Sequence, residues 1–202
     1  MYQSRKTKLT CTTAQASLMT KLTENAYKFT PTYREAIKLS DGTPVTLRLV
    51  IPADKPLLES GMDNFSPESR FHRFLSAKLK LTNADLRYLT EIDGVDHFAI
   101  GALNHAGEGI GVARFVRFGD DLEVAEPAIA VLDTYQNKGL GCILFRRLMA
   151  AARERGIRRF HGSMLSGNKP MMHLLHSVAQ RVCFDFQGTV LAFEMPLNNS
   201  TD

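Results

Sequence analysis

Apolar and polar positions begin to alternate at Ile37 and Leu39, break at Asp41-Gly42, and resume as Val45, Leu47 and Leu49 spaced by Thr46 and Arg48. A turn dipeptide between two runs of period two predicts a β-hairpin. Pro52 stops the second strand, and residues 53–61 predict a short helix closed by Gly61. Ser66-Pro67-Glu68-Ser69 reads as a helix start, with Ser66 as N-cap and Pro67 in the first turn, and Phe71, Phe74 and Leu75 supply its apolar face. A third helix is predicted from Thr82 or Asn83, with Leu86 and Leu89 inward.

At His97 the period returns to two. Strands are predicted over 97–103, 109–118 and 122–131, and the short turn-rich linkers between them make an antiparallel meander. After Gly139 the period lengthens again. Leu140, Ile143, Leu144, Leu148 and Ala151 share one helix face, Arg146, Arg147, Arg153 and Glu154 lie off it, and Gly156 ends it. A strand over 157–164, a helix over 169–181 and a hairpin of 182–186 with 190–195 complete the chain. This order predicts an α/β (α+β) domain with a mixed, mostly antiparallel sheet and helices on both faces.

Composition bounds this picture more than it changes it. A chain of 202 residues with 44% apolar content can bury one core, so we expect one domain over residues 36–202 preceded by an extension over 1–35. No apolar run approaches the roughly 20 residues of a membrane span, and no membrane partner is expected. Residues 1–40 hold seven basic and two acidic residues, whereas the remainder holds 18 and 19. The basicity therefore belongs to the extension, and no interleaving of basic and aromatic residues points to nucleic acid. Cys11, Cys142 and Cys183 lack pair spacing, so neither a disulfide framework nor a metal site is expected, and a cytoplasmic setting fits. Homodimerisation is compatible with the sequence.

The chemistry concentrates where the third meander strand gives way to the long helix, at Val131-Leu132-Asp133-Thr134-Tyr135-Gln136-Asn137-Lys138-Gly139-Leu140-Gly141. The first amides of a helix lack partners and its dipole favours an anion, so this turn is a candidate pyrophosphate cradle. On the glycines alone an ordinary strand-to-helix turn is the better reading. It is neither a Walker loop nor a Rossmann fingerprint, because no Gly-Lys-Ser/Thr follows and the preceding strands are antiparallel.

Gln136-x-x-Gly139-x-Gly141 resembles the acetyl-coenzyme A signature of the GNAT N-acetyltransferase superfamily. Leu47-Arg48 with Pro52-Ala53-Asp54, then Phe65-Ser66-Pro67-Glu68-Ser69 with Arg73-Phe74, is similar to the opening of GNAT domains in Pat-like protein lysine acetyltransferases. Asn168, Met171 and Leu174 resemble a later helix of that group. The likeness covers roughly residues 44–197.

The resemblance implies a GNAT fold and transfer of an acetyl group from acetyl-CoA to a primary amine, with protein lysines as the first acceptor class. Small amines or amino acids are the alternative acceptors, and a non-catalytic acyl-CoA sensor is a third reading. Amides of Asn137, Lys138, Gly139, Leu140 and Gly141 would hold the pyrophosphate, and the backbone of Ile129, Ala130 and Val131 would meet pantetheine and thioester. Gln136 and Asn168 complete the binding set. Glu126 stands where related proteins carry a general base, and the neighbouring Pro127 predicts a bulge or a locally open edge. No Tyr stands where many members place the acid that protonates the leaving thiolate. His173 and His176 are the substitutes on chemical grounds, with His176 nearer the expected place.

Overall fold

The computed structural model describes residues 28–74 and 79–197. Eight strands form one sheet: β1 (Arg34–Lys38), β2 (Pro44–Leu49), β3 (His97–Leu103), β4 (Gly109–Arg117), β5 (Val124–Val131), β6 (Arg159–Leu165), β7 (Cys183–Gln187) and β8 (Val190–Pro196). Their spatial order is β1-β2-β3-β4-β5-β6-β8-β7, and every pair is antiparallel except β5 with β6. The α-helices among the described residues are α1 (Lys55–Asn64), α2 (Pro67–Phe74), α3 (Asn83–Thr90), α4 (Leu140–Glu154) and α5 (Lys169–Val178).

Strand alternation divides the sheet into two chemically different faces. Leu47, Phe98, Ile100, Ala113, Phe115 and Ala125 point to the side covered by α4, whose Leu140, Leu144, Phe145 and Leu148 are fully buried against them. The opposite face, under α1–α3, carries Arg48, His97, Arg114 and Glu126 among small residues. Cross-strand partners there run Gly101–Val112–Ala130, then Ala99–Arg114–Ala128, then His97–Val116–Glu126. Glycine and alanine at four of these positions leave space between sheet and helices that larger side chains would fill.

Three expectations need correction. Helix α1 runs through Gly61 to Asn64, because nothing near Gly61 forces a break and a three-residue 3-10 turn at Pro52–Asp54 starts the helix late. Phe71 is exposed rather than inward. The packed body also reaches back beyond residue 36. Phe29 is buried against Phe98 and Tyr33, and the buried Arg155 guanidinium donates to the Phe29 carbonyl at 2.9 Å while lying 4.4 Å from the Phe98 ring centre. Residues 1–27 of the expected extension, and Leu75 of the expected α2 face, lie outside the described residues. No described helix is long and apolar enough to cross a membrane, and no three His, Cys, Asp or Glu among the described residues cluster as metal ligands.

Candidate active site

The site begins where β5 parts from β6. In the antiparallel ladder with β4, Leu132 donates to the Ile110 carbonyl at 3.0 Å. Alternation then commits the backbones of Ala130, Ala128 and Glu126 to β4 and turns those of Val131, Ile129 and Pro127 toward β6. Pairing with β6 holds only at Val124–Arg159 and Ala125–Phe160. The next position facing β6 is Pro127, which has no N–H to donate, and the ladder stops there. The expected irregularity is thus an open edge. There is no bulge, since the β4–β5 register runs unbroken through Pro127.

A cleft of about 410 Å³ occupies this opening, lined by Ile129, Ala130 and Val131 on one side and by Asn168 and Leu174 of the α5 region on the other. Its far end is the turn before α4. Asn137 (φ 56°) and Gly139 (φ 84°) adopt left-handed conformations, and the first backbone bond into the helix runs from Ile143 N–H to the Gly139 carbonyl. The amides ahead of Ile143 in the helix are therefore unpaired within it, at the positive end of a helix of 15 residues. Successive amides around left-handed residues form an anion-binding concavity. This donor set fits a pyrophosphate.

Gln136 has a structural task in the same place. Its side-chain amide donates to the Val131 carbonyl at 3.0 Å and to Ser69 Oγ at 3.3 Å, joining the strand end to α2. Asp133 reinforces the joint by accepting from Ser66 N–H (3.0 Å), Ser66 Oγ (3.0 Å) and Ser69 Oγ (2.7 Å). Burial works to raise the Asp133 carboxyl, but those bonds outweigh it and hold it below the usual range. The start of α2 is thereby tied to the cleft wall, which brings Ser69, His72 and Arg73 to the opening.

Phe65, Arg73 and Ala130 belong both to this cleft and to a second, largely apolar cavity of about 80 Å³ under α1. Arg48, Asp54 and Arg114 contribute its other charged groups. Arg48 and Asp54 close on each other through two bonds of 2.7 and 2.6 Å. Arg114 is 4% exposed and donates to the Leu89 carbonyl and His97 Nε2, both at 3.2 Å. Burial lowers the Arg114 pKa to about 9, and the Arg73 charge adds to the effect, while Tyr88 opposes it. Burial also lowers Arg73, against the pull of Glu126 and then Tyr88. His97, pushed down to about 4 by burial and then by Arg114, is neutral at physiological pH and accepts the Arg114 bond.

Comparisons with known proteins agree on one family. The model for the acetyltransferase (GNAT) family matches residues 64–178. The chain belongs to the GNAT acetyltransferase family. It is 37% identical over 143 residues to the acetyltransferase Pat of Mycolicibacterium smegmatis, covering 69% of this chain and 42% of that protein. It therefore spans less than half the length of that relative. An acetyltransferase of Pseudomonas aeruginosa is 30% identical over 139 residues, 67% of this chain and 74% of its own. The crystal structure of the GNAT domain of S. lividans PAT superposes with a TM-score of 0.76 at 29% identity, covering 81% of this chain and 96% of that one. Members of the family use acetyl-CoA as cosubstrate.

Within this GNAT domain, most of the sequence-predicted residues converge. Ile129, Ala130, Val131, Gln136, Asn137, Gly139, Gly141 and Asn168 all line the cleft. The Ala130 backbone is committed to β4, and the Val131 carbonyl to Gln136, which leaves the Ile129 backbone and the Val131 N–H facing the opening. Lys138 and Leu140 offer only their amides. The Lys138 ammonium pairs with Asp41 at 3.0 Å, and the Leu140 side chain is core. Asn168 is buried and caps α5 by accepting from Met171 N–H at 3.0 Å.

Two predicted catalytic residues fare differently. Glu126 is exposed on the α1–α3 face and does not itself line the cleft, although its charge acts on Arg73, which does. His176 is not brought to the cleft. It is exposed with its ring 5.5 Å from that of Phe184, because the helix turns it toward β7, whereas His173 lines the opening. Half-buried Cys142 also lines the cleft. In the sequence Arg73 stands out only as part of a motif, and neither Asp133 nor Arg114 is marked for the site. The signal for Arg114 was a charge flanked by Ala113 and Phe115 in the middle of an apolar strand whose other charge, Arg117, stands at its end.

Proposed function

We propose that this chain transfers the acetyl group of acetyl-CoA to a primary amine, with protein lysine side chains as the first acceptor class. The observation that carries the reading is the left-handed turn at Asn137 and Gly139, opening into α4 beside the split between β5 and β6. Acetyl-CoA supplies an activated thioester there. The amides of the turn bind its pyrophosphate, and the open edge at Ile129 and Val131 presents the backbone groups that pair with pantetheine. The resemblance of Phe65 to Ser69 and Arg73-Phe74 to the GNAT domains of Pat-like protein lysine acetyltransferases supports lysine as the acceptor class.

An amine attacks only when neutral. A lysine ammonium of pKa near 10.4 is about three units too protonated at pH 7.5, a cost of roughly 4 kcal/mol. Glu126 is the carboxylate on the face from which the thioester is approached, and it takes that proton directly or through a water. Its negative charge in turn favours the charged form of the buried Arg73 guanidinium beside the cleft. His173, at the cleft mouth, is the group placed to return a proton to the leaving thiolate.

Glu126→Gln keeps size and removes the base. Turnover should fall on the order of 10² to 10⁴-fold, while acetyl-CoA affinity, read by calorimetry, stays near the parent value. Near-parent turnover across the pH range would remove Glu126 from the mechanism.

A further inference from the structure

The cavity under α1 holds a charge that the proposed acetyl transfer does not use. Arg48 in its wall is neutralised by Asp54. Arg114 is not: among the described residues it has no carboxylate within ion-pair distance, and its bonds go to a carbonyl and a neutral imidazole. Arg73 acts on it as a like charge and repels it. A guanidinium buried without a carboxylate is costly, and a ligand anion would offset that cost.

The shared wall of the two spaces indicates where such an anion comes from. Phe65, Arg73 and Ala130 bound both the cleft and the cavity, so the two adjoin at Ala130, at the level assigned to the thioester. An acyl chain longer than acetyl would pass Ala130 and continue toward Arg114. An acceptor ammonium entering this way would face two guanidinium groups. A short chain ending in a carboxylate would face two partners of opposite charge, along walls formed by Leu57, Met62 and Val112.

We propose that the cavity under α1 is an acyl-chain pocket for a carboxylate-ended acyl group of the succinyl class, with Arg114 and Arg73 binding the terminal carboxylate. This rests on the reading of the cleft as the acyl-CoA site. The reaction balances as for acetyl transfer. The neutral amine nitrogen bonds to the thioester carbonyl carbon, the C–S bond breaks with its electron pair on sulfur, and the proton lost by nitrogen ends on the thiol. The carboxylate takes no part in these steps.

The test compares succinyl-CoA with acetyl-CoA for the parent chain, Arg114→Met and Arg114→Lys. It reads both kcat/KM with one amine and dissociation constants by calorimetry without amine. The parent should bind and transfer succinyl at least as well as acetyl. In Arg114→Met the succinyl-to-acetyl ratio should fall 10- to 100-fold in both readouts, the range expected for a lost charge-assisted hydrogen bond, with a smaller loss in Arg114→Lys. Failure of both thioesters to bind the parent would overturn the cleft reading and this inference with it. Binding and transfer of acetyl with exclusion of succinyl would overturn this inference alone, as would a ratio unmoved in both variants. Should Arg114→Met not fold, the parent comparison and Arg114→Lys decide. A parallel arm sets lysine against cadaverine with acetyl-CoA. A preference for lysine that Arg114→Met erases would assign the carboxylate to the acceptor and overturn the acyl assignment.

Discussion

Replacing Gly139 with valine separates backbone conformation from space as the requirement of the turn. A Cβ at this position would meet nothing within 4 Å, so crowding is not the obstacle. The obstacle is φ of +84°, which costs an L-residue about 1–2 kcal/mol and a β-branched one more. Valine would draw the backbone toward negative φ and rotate the amides that lead into α4. Losing one charge-assisted hydrogen bond of about 1.5–3 kcal/mol weakens a ligand roughly 10- to 100-fold. With acetyl-CoA at 100 times its parent Kd, the parent gains about 2.7 kcal/mol, or about 5–10 °C in Tm for a chain of this size. A hundredfold weaker variant keeps only about 0.4 kcal/mol, near 1 °C. Differential scanning fluorimetry with and without acetyl-CoA reads both numbers. Gly139→Asn is the control, since asparagine tolerates the left-handed region and Asn137 already occupies it at φ 56°. A full ligand shift in Gly139→Val, or equal losses in the valine and asparagine variants, would refute the conformational account of the cradle.

Two further predictions concern the scaffold. Glu35 accepts two bonds of 2.7 Å from Arg147, which, against burial and helped by the Tyr33 hydroxyl, hold its carboxyl down at about 2. A depressed pKa contributes stability above the unfolded value, so Glu35→Gln should lower stability at pH 7 by about 1 kcal/mol for this partly exposed pair. The difference from the parent should vanish as pH falls from about 4.5 toward 2, read by urea titration at several pH values. Phe29→Ala removes a ring that is 1% exposed and should cost about 3–5 kcal/mol, lowering Tm by roughly 6–20 °C; an unchanged Tm would detach residue 29 from the core.

Element existence was legible in the sequence because hydrophobic period and turn chemistry agreed at each step. The Asp41-Gly42 hairpin, the Ser66 cap and the Leu140–Leu144–Leu148 stripe all reappear, with ends displaced by a few residues. The cofactor turn was legible for a similar reason, since its function resides in contiguous backbone. The face under α1–α3 was not, because its chemistry is assembled from β2, β3, β4, β5 and α2, and no local pattern brings Arg73, Arg114 and Glu126 together. Strand parity alone would have put Arg114 and Glu126 on one face, had the β4–β5 register been known. Phe29 was passed over because it stands in a basic, polar segment, where its burial depends on Arg155 more than 100 residues away. His176 was misplaced for want of the helix phase, which turns His173 rather than His176 to the cleft.

The deciding property of this chain is whether it moves an acyl group to nitrogen. Thiol release from acetyl-CoA, followed with peptides containing lysine, free amino acids and polyamines, and with mass spectrometry of the products, reads this directly. The account predicts release that requires an amine and yields one acetylated amine per thiol, with the lysine peptide among the acceptors. Tight acetyl-CoA binding with no amine-dependent release across the panel would contradict it and leave a domain that holds the thioester without using it.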